Sequence, residues 1–402
     1  MTVNKNLFLH NLAVVAILKN EGAYLKEWLD YYLLAGVDHF YLYDNDSPEN
    51  QREVAAPYVE AGLVDYFHTP GKVMQMAAFN DAVKRFKFHC RHMAFIDADE
   101  FIFPKTNQSI AETLDEILLL APEAAGVVIN WQIFGSNNYE SADYSGGVLE
   151  RFTRRAPVDW APKGFGNAQI KTVADPRKIN FLIYPHHANY FEGFRAVNEN
   201  GKIVPNYINN PVTADKIAVN HYYTKSKAEF IKKIQRGRSD IPVNTYDMQT
   251  FDYYNHNEVF DDGILKYRAS RTFTPESTNR KLERVIETLT KILSGTPANL
   301  ETALTCLALS SYLRENVLPE MSFCEELSLK KVAELSARMN FAEASLLLRE
   351  LPKILRLPYP DVKKIRAACL EIIPQMLSPL REKVGVSRDY IELDYLLDFL
   401  RS

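Results

Sequence analysis

Four short apolar runs alternate with three amphipathic stretches at the start of this chain, and no other feature limits its fold so sharply. Residues 13–18 are continuously apolar at strand length, as a parallel strand covered on both faces must be. Leu25, Trp28, Leu29, Tyr32 and Leu33 then recur at helical spacing, and Gly36 closes that helix. Residues 40–43 read as a second strand, 54–61 as a second helix ending at Gly62, and 64–67 as a third strand. Met76, Phe79, Val83 and Phe86 mark a third helix, and 93–96 a fourth strand. The order β-α-β-α-β-α-β predicts a mainly parallel, Rossmann-like α/β sheet with helices on both faces. In such sheets ligands sit in the crevice outside the carboxyl ends of the strands.

Three polar clusters fall at those strand ends: Lys19-Asn20-Glu21, Asp44-Asn45-Asp46 and Asp97-Ala98-Asp99. The fold brings together what the sequence keeps apart. Asp97 and Asp99, one residue apart at the end of a strand, can both reach one divalent cation. A hard cation such as Mg²⁺ or Mn²⁺ takes oxygen ligands, usually a few carboxylates with phosphates and waters filling the remaining positions. An isolated Asp-x-Asp is equally well a pair of solvated loop acids. Convergence of the three clusters favours the metal site. No Gly-x-Gly-x-x-Gly follows the first strand, and no Gly-x-x-x-x-Gly-Lys-Ser/Thr occurs. Any phosphate must therefore be held by a metal and side chains rather than by a glycine nest.

Downstream, residues 127–131 form an apolar run leading into Gln132-Ile133-Phe134-Gly135-Ser136-Asn137-Asn138. Trp131 and the following amides suit the wall of a sugar-sized pocket or, alternatively, a core strand entering a turn. From 141 to 211 the chain is rich in Gly, Pro, Asn and aromatics, and short strands and loops capping the sheet are expected there. That stretch holds Lys171, Arg177, His186 and His187. His221 ends a short extended segment and precedes Lys225 and a basic helix with Lys232, Lys233, Arg236 and Arg238. A lone His is usually structural. Here its neutral imidazole can complete a metal site, and the Lys and Arg side chains can neutralise a leaving diphosphate.

At 402 residues the chain is long for one core, which predicts two domains. The polar stretch Thr274-Pro275-Glu276-Ser277 caps a region of helical spacing that extends to the C-terminus. An α/β domain is expected over 1–275 and an all-α domain over 276–402. Helices are expected around 304–313, 327–339, 342–351, 362–377 and 390–400, broken by Pro352, Pro358 and Pro360. A net charge of −4 gives no global basic excess for nucleic acid. No stretch is apolar for long enough to span a bilayer. The four cysteines are far apart and read as free thiols of a reducing compartment. A cytoplasmic location is expected, with peripheral association at the inner face of a membrane as the alternative.

Three blocks, AILKNEGAYLKEWLDYYLLAGVDHFYLYDNDS, FIDADEFIFP and NHYYTKSKAEFIKK, resemble the family-92 glycosyltransferases and the related bacterial family-2-like proteins. The resemblance runs over residues 12–237 and leaves the helical tail uncovered. It implies a GT-A fold, a nucleotide-sugar donor (a UDP-sugar by default), an Asp-x-Asp metal motif and transfer with inversion. By motif position it implies Asp97, Asp99 and His221 as ligands of Mn²⁺ or Mg²⁺. The nucleotide-sugar set expected with it is Lys19, Asn20, Glu21, Asp44, Asn45, Lys72, Gln75, Asp97, Trp131 and Lys225. Inverting transfer also needs a group to take the acceptor hydroxyl proton, and Glu100, Asp143 and Asp159 are the candidates. The acceptor is expected to be a glycan or lipid-linked molecule. Two other readings stay open. One is a haloacid-dehalogenase-like phosphatase using Asp97, although that motif normally ends the first strand of its domain. The other is a non-catalytic scaffold of the same fold whose helical tail binds a partner.

Overall fold

The computed structural model describes residues 4–48, 50–355, 363–385 and 390–391. The chain divides into two compact units, one of His10–Thr278 and one of Met1–Leu9 with Asn279–Ser402. In chain order the first has strands β1 (His10–Leu18), β2 (His39–Asp44), β3 (Val64–His68), β4 (Cys90–Phe95), β5 (Glu100–Pro104), β6 (Ala124–Ile133), β7 (Arg154–Arg155), β8 (Ile170–Ala174), β9 (Ile179–Phe181), β10 (Asn189–Tyr190), β11 (Arg195–Val197), β12 (Ile203–Val204), β13 (Ile217–His221) and β14 (Val259–Phe260). Its helices are α1 (Gly22–Leu34), α2 (Gln51–Glu60), α3 (Gln75–Phe86), α4 (Ile110–Leu119), α5 (Val148–Arg151), α6 (Lys227–Arg236), α7 (Met248–Tyr254) and α8 (Gly263–Ser270).

Strands β3, β2, β1 and β4 lie side by side in that order, all parallel. Leu12, Val14, Ala16 and Leu18 of β1 enter one core with Trp28 and Phe40, whereas Ala13, Val15 and Ile17 enter a second with Phe79, Phe86 and Phe95. This double cover is why β1 is apolar throughout instead of alternating. Beyond β4 the order continues β8, β6, β11. Strand β8 runs antiparallel to both β4 and β6, so the sheet is mixed. Residues 141–211, expected to supply only capping strands and loops, thus put β8 in the middle of the sheet. Its residues include Lys171 and Thr172, both buried, and that polar content hides a central strand from a hydrophobic pattern.

A second ladder sets the site. Strand β13 pairs antiparallel with β5 and parallel with β6, which places His221 opposite Glu100 and Val219 beside Trp131. Helix α1 fixes β5 from below. Trp28 Nε1 and Tyr32 Oη donate to the Glu100 carbonyl at 3.0 and 3.1 Å, and Tyr31 Oη donates to the Ile102 carbonyl at 2.7 Å. The chain leaves α1 through Gly36 at φ +95°, where a Cβ would come within 2.8 Å of Ser109 Cβ. Only glycine closes the helix there without strain.

The second unit is helical, with α9 (Thr278–Ser294), α10 (Leu300–Asn316), α11 (Ser322–Ser336), α12 (Phe341–Leu355) and α13 (Lys363–Val384). Leu7 and Leu9 are buried in its core with Val285, Leu289 and Leu313. Arg284 Nη1 donates to the carbonyls of Asn6 and Phe8 at 2.8 and 2.9 Å. Helix α12 runs through Pro352, which was expected to break it. Pro358, Pro360 and most of the helix expected at 390–400 lie outside the described residues. No helix among the described residues is long and apolar enough to cross a membrane. All four cysteines are buried, and none is in a disulfide.

Candidate active site

A cavity of about 390 Å³ opens where the parallel strands end. Each strand delivers a residue to it: Lys19 after β1, Asn45 after β2, Lys72 after β3 and Asp97 after β4. Helix α3 adds Gln75, β6 adds Trp131, and α6 adds Lys233 and Arg236. Asn45 Nδ2 donates to the carbonyls of Thr69 and Gly71, both at 2.8 Å, and so ties the end of β2 to the loop carrying Lys72.

Asp97 is held on all sides. Its Oδ1 accepts from Gln75 Nε2 at 2.6 Å, and its Oδ2 accepts from Lys171 Nζ at 2.8 Å. Its amide donates to Glu100 Oε2 at 2.9 Å, and the same oxygen lies 3.1 Å from Lys171 Nζ. Burial pushes the Glu100 carboxyl up to about 8; Lys171 opposes that rise, and Asp97 and Asp99 add to it. Asp99 faces the other way. Its Oδ2 accepts from Lys233 Nζ at 2.8 Å, and its Oδ1 lies 3.4 Å from His221 Nε2. Burial would raise the Asp99 carboxyl, but Lys233 and His221 overcome it and hold the group well below the usual carboxylate range. Burial also lowers the His221 imidazole, against the pull of Asp99. The His221 ring packs edge-on against Trp131 at 4.3 Å between centroids.

A second charged knot closes the mouth beside α1. Glu21 accepts from Arg236 Nη1, which also donates to the Lys19 carbonyl at 2.8 Å, and Lys225 Nζ lies 3.5 Å from Glu21. Helix α6, which carries Lys233 and Arg236, begins with a capping box between Ser226 and Glu229.

Lys19, Glu21, Asn45, Lys72, Gln75, Asp97, Asp99, Trp131 and His221 therefore share one cavity. Asn20 and Lys225 instead line a neighbouring cavity of about 510 Å³ on the α1 side of Lys233. Asp44 is buried, and its Oδ1 accepts from Gln51 Nε2 at 2.7 Å and from the Ser47 amide at 3.1 Å. It shapes the loop after β2 and does not line the cavity. None of the three candidate bases lines the cavity either. Glu100 is fully buried under the Asp-x-Asp turn, while Asp143 and Asp159 are exposed, Asp143 capping the Ser145 amide at 2.9 Å. Lys171, Gln169, Tyr184 and Asp240 act in or beside this centre without any role expected of them. They come from segments without periodicity, and only the reversed register of β8 brings the first two to the end of β4.

Asp97, Asp99 and His221 do not close into a three-ligand set; no group of three or more His, Cys, Asp or Glu among the described residues is arranged to hold a metal. Lys171 and Gln75 take both oxygens of Asp97. What remains is one carboxylate oxygen and one imidazole nitrogen, Asp99 Oδ1 and His221 Nε2, at the cavity wall. Such a pair fits a Mg²⁺ or Mn²⁺ ion whose other positions are filled by phosphate and water.

A sheet ordered β3-β2-β1-β4 and then one reversed strand, with Asp-x-Asp at the carboxyl end of the fourth, is the GT-A class of glycosyltransferase fold. The sequence profile of Glycosyltransferase family 92 matches residues 15–253, and the chain belongs to that family. A family 92 protein of Ricinus communis is 25% identical over 284 residues, covering 69% of this chain and 46% of the relative. One of Oryza sativa subsp. japonica is 26% identical over 190 residues, covering 47% and 31%. The chain thus spans less than half the length of these relatives. Among solved structures, S. aureus TarS 1–349 superposes with a TM-score of 0.30 at 11% identity, covering 97% of this chain and 91% of that one. An active-site mutant of LgtC gives 0.29 at 12% identity, covering 67% and 99%.

Proposed function

We propose that the chain is a metal-assisted glycosyltransferase that moves a sugar from a nucleotide-sugar, a UDP-sugar by default, to a hydroxyl of a glycan or lipid-linked acceptor with inversion. The observation that carries this reading is the meeting of Asp97, Asp99 and His221 with Lys72, Lys233 and Arg236 in one cavity at the carboxyl end of the sheet. A nucleoside diphosphate is a multiply charged leaving group. Lysine and arginine side chains fixed in a partly closed site stabilise it without reorganising. Trp131, beside His221, offers an apolar face for the sugar ring. Asp97, with both oxygens engaged, holds the turn that aims Asp99. A divalent ion seated by Asp99 and His221 supplies Lewis-acid neutralisation of the diphosphate when bound.

The test is a thermal-shift panel of UDP, GDP and CMP, each with and without Mn²⁺. A ligand at a hundred times its Kd adds about 2.7 kcal/mol to unfolding, a shift that is easily read. UDP is expected to stabilise more with Mn²⁺ than without, and Asp99→Asn to remove the Mn²⁺-dependent part. Equal stabilisation in EDTA would remove the metal from the reading. No response to any nucleotide would leave a scaffold of the same fold.

A further inference from the structure

The expected base candidates lie off the cavity, yet the displacement needs a group to take the proton of the attacking hydroxyl. The acids lining the cavity are Glu21, Asp97, Asp99 and Asp240. Each already holds a cation. Glu21 binds Arg236, Asp97 lies 2.8 Å from Lys171, Asp99 lies 2.8 Å from Lys233, and Asp240 takes both arms of Arg238 at 2.9 and 2.6 Å. A carboxylate committed to a cation in this way has its oxygens turned to that partner and not to an incoming hydroxyl. Two histidines also line the cavity, His186 and His221, and His221 turns its Nε2 to Asp99.

His186 is differently arranged. Its Nδ1 lies 3.0 Å from the Ile170 carbonyl. A carbonyl oxygen only accepts, so Nδ1 carries the hydrogen and Nε2 keeps the lone pair. Thr172 Oγ1 donates to the His186 carbonyl at 2.8 Å, and the ring is wedged between Trp131 and Tyr184, each 4.9 Å away between centroids. Backbone, ring plane and tautomer are therefore all fixed. Burial, with the Lys171 ammonium nearby, holds the imidazole well below its ordinary range, so it is neutral. Both anchors, Ile170 and Thr172, belong to β8, the reversed strand that also brings Lys171 to Asp97.

We infer that His186 is the general base. Its Nε2 takes the acceptor hydroxyl proton as that oxygen bonds to the anomeric carbon. The bond from that carbon to the β-phosphate oxygen breaks, and its electron pair leaves with the diphosphate.

This rests on the glycosyltransferase reading, and the experiment separates the two. The full chain, His186→Gln, His186→Ala and the control His187→Gln are compared for UDP binding with Mn²⁺ and for UDP release to water from UDP-glucose, UDP-galactose and UDP-N-acetylglucosamine. Both His186 variants are expected to bind UDP as the wild type does and to release it about a hundredfold more slowly or worse. Added imidazole should restore part of the rate to His186→Ala, which a merely structural role would not allow. His187, bonded at Nε2 to the Val204 carbonyl and off the cavity, should be replaceable without loss. A His186→Gln rate close to wild type overturns the assignment. A wild type that does not bind UDP fails the underlying reading instead. A second measurement needs no turnover. Diethyl pyrocarbonate acylates neutral imidazole, so peptide mass mapping near pH 6 should find His186 modified and UDP with Mn²⁺ protecting it. An unmodified His186 beside a modified, exposed His68 overturns the assignment as well.

Discussion

Lys171 is the residue on which the acidic end of the sheet depends. It is fully buried, with its ammonium 2.8 Å from Asp97 and 3.1 Å from Glu100. Burial works against its charge, yet the two carboxylates hold its pKa above the ordinary lysine value. Removing one partner of a buried ion pair strands the other and costs about 3–5 kcal/mol. Lys171→Met is expected to lower the urea-unfolding free energy by about that amount. A variant as stable as the wild type would show that Asp97 and Glu100 need no counterion. At this scale legibility is uneven, for a physical reason. Asp97 and Asp99 are legible because two acids that close an apolar run mark the end of a buried strand, where ligands gather. Lys171 and His186 are not, because a buried polar residue on a short strand or loop resembles an exposed one until its partners are known. Glu100 is a candidate because it follows the motif directly, and adjacency along the chain says little about which acids a cavity gathers.

Among elements, the legible ones are those whose burial is complete and simple. Strands β1, β2 and β4 announce themselves because two cores cover them, and α1 and α3 because one face repeats. Strand β8 does not, since two of its five residues, Lys171 and Thr172, are polar and buried for the sake of the site. Helix α4 shows how such elements are joined. Asp115 on α4 accepts from Arg91 at 3.0 and 2.5 Å, with His92 at 3.7 Å, both at the start of β4. Burial raises the Asp115 carboxyl, but the nearby His92 ring and the bonds from Arg91 outweigh it and bring it down to about 2 from 3.8. A pKa lowered by folding stabilises above the unfolded value and is lost as pH falls through the folded one. Wild type is therefore expected to be more stable than Asp115→Asn at neutral pH, with the gap closing between about pH 4 and pH 2 in acid-unfolding curves. A gap that persists at pH 2 would assign the tie to packing.

At the scale of the molecule, the family profile ends at residue 253, well before the helical region. Each unit still has its own core, and the helical one draws on the far end of the chain: Leu7 is fully buried there beside Val285 and Leu289. Leu7→Ala is expected to destabilise that unit by about 2–5 kcal/mol, seen as a lower calorimetric transition. A transition at the wild-type temperature would mean that the segment is dispensable to that core. The short apolar stretch around Leu7 gave no sequence sign of its partner, because so short a segment carries no periodicity. Its placement has a consequence for biosynthesis. The α/β unit, residues 10–278, is in effect inserted between two parts of the helical one. On a ribosome adding about 5–20 residues per second, Leu7 and Leu9 emerge roughly a quarter of a minute to a minute before the helices that bury them. The nascent chain must therefore complete the sheet with that leading segment still exposed, and this is the interval in which a chaperone has something to hold.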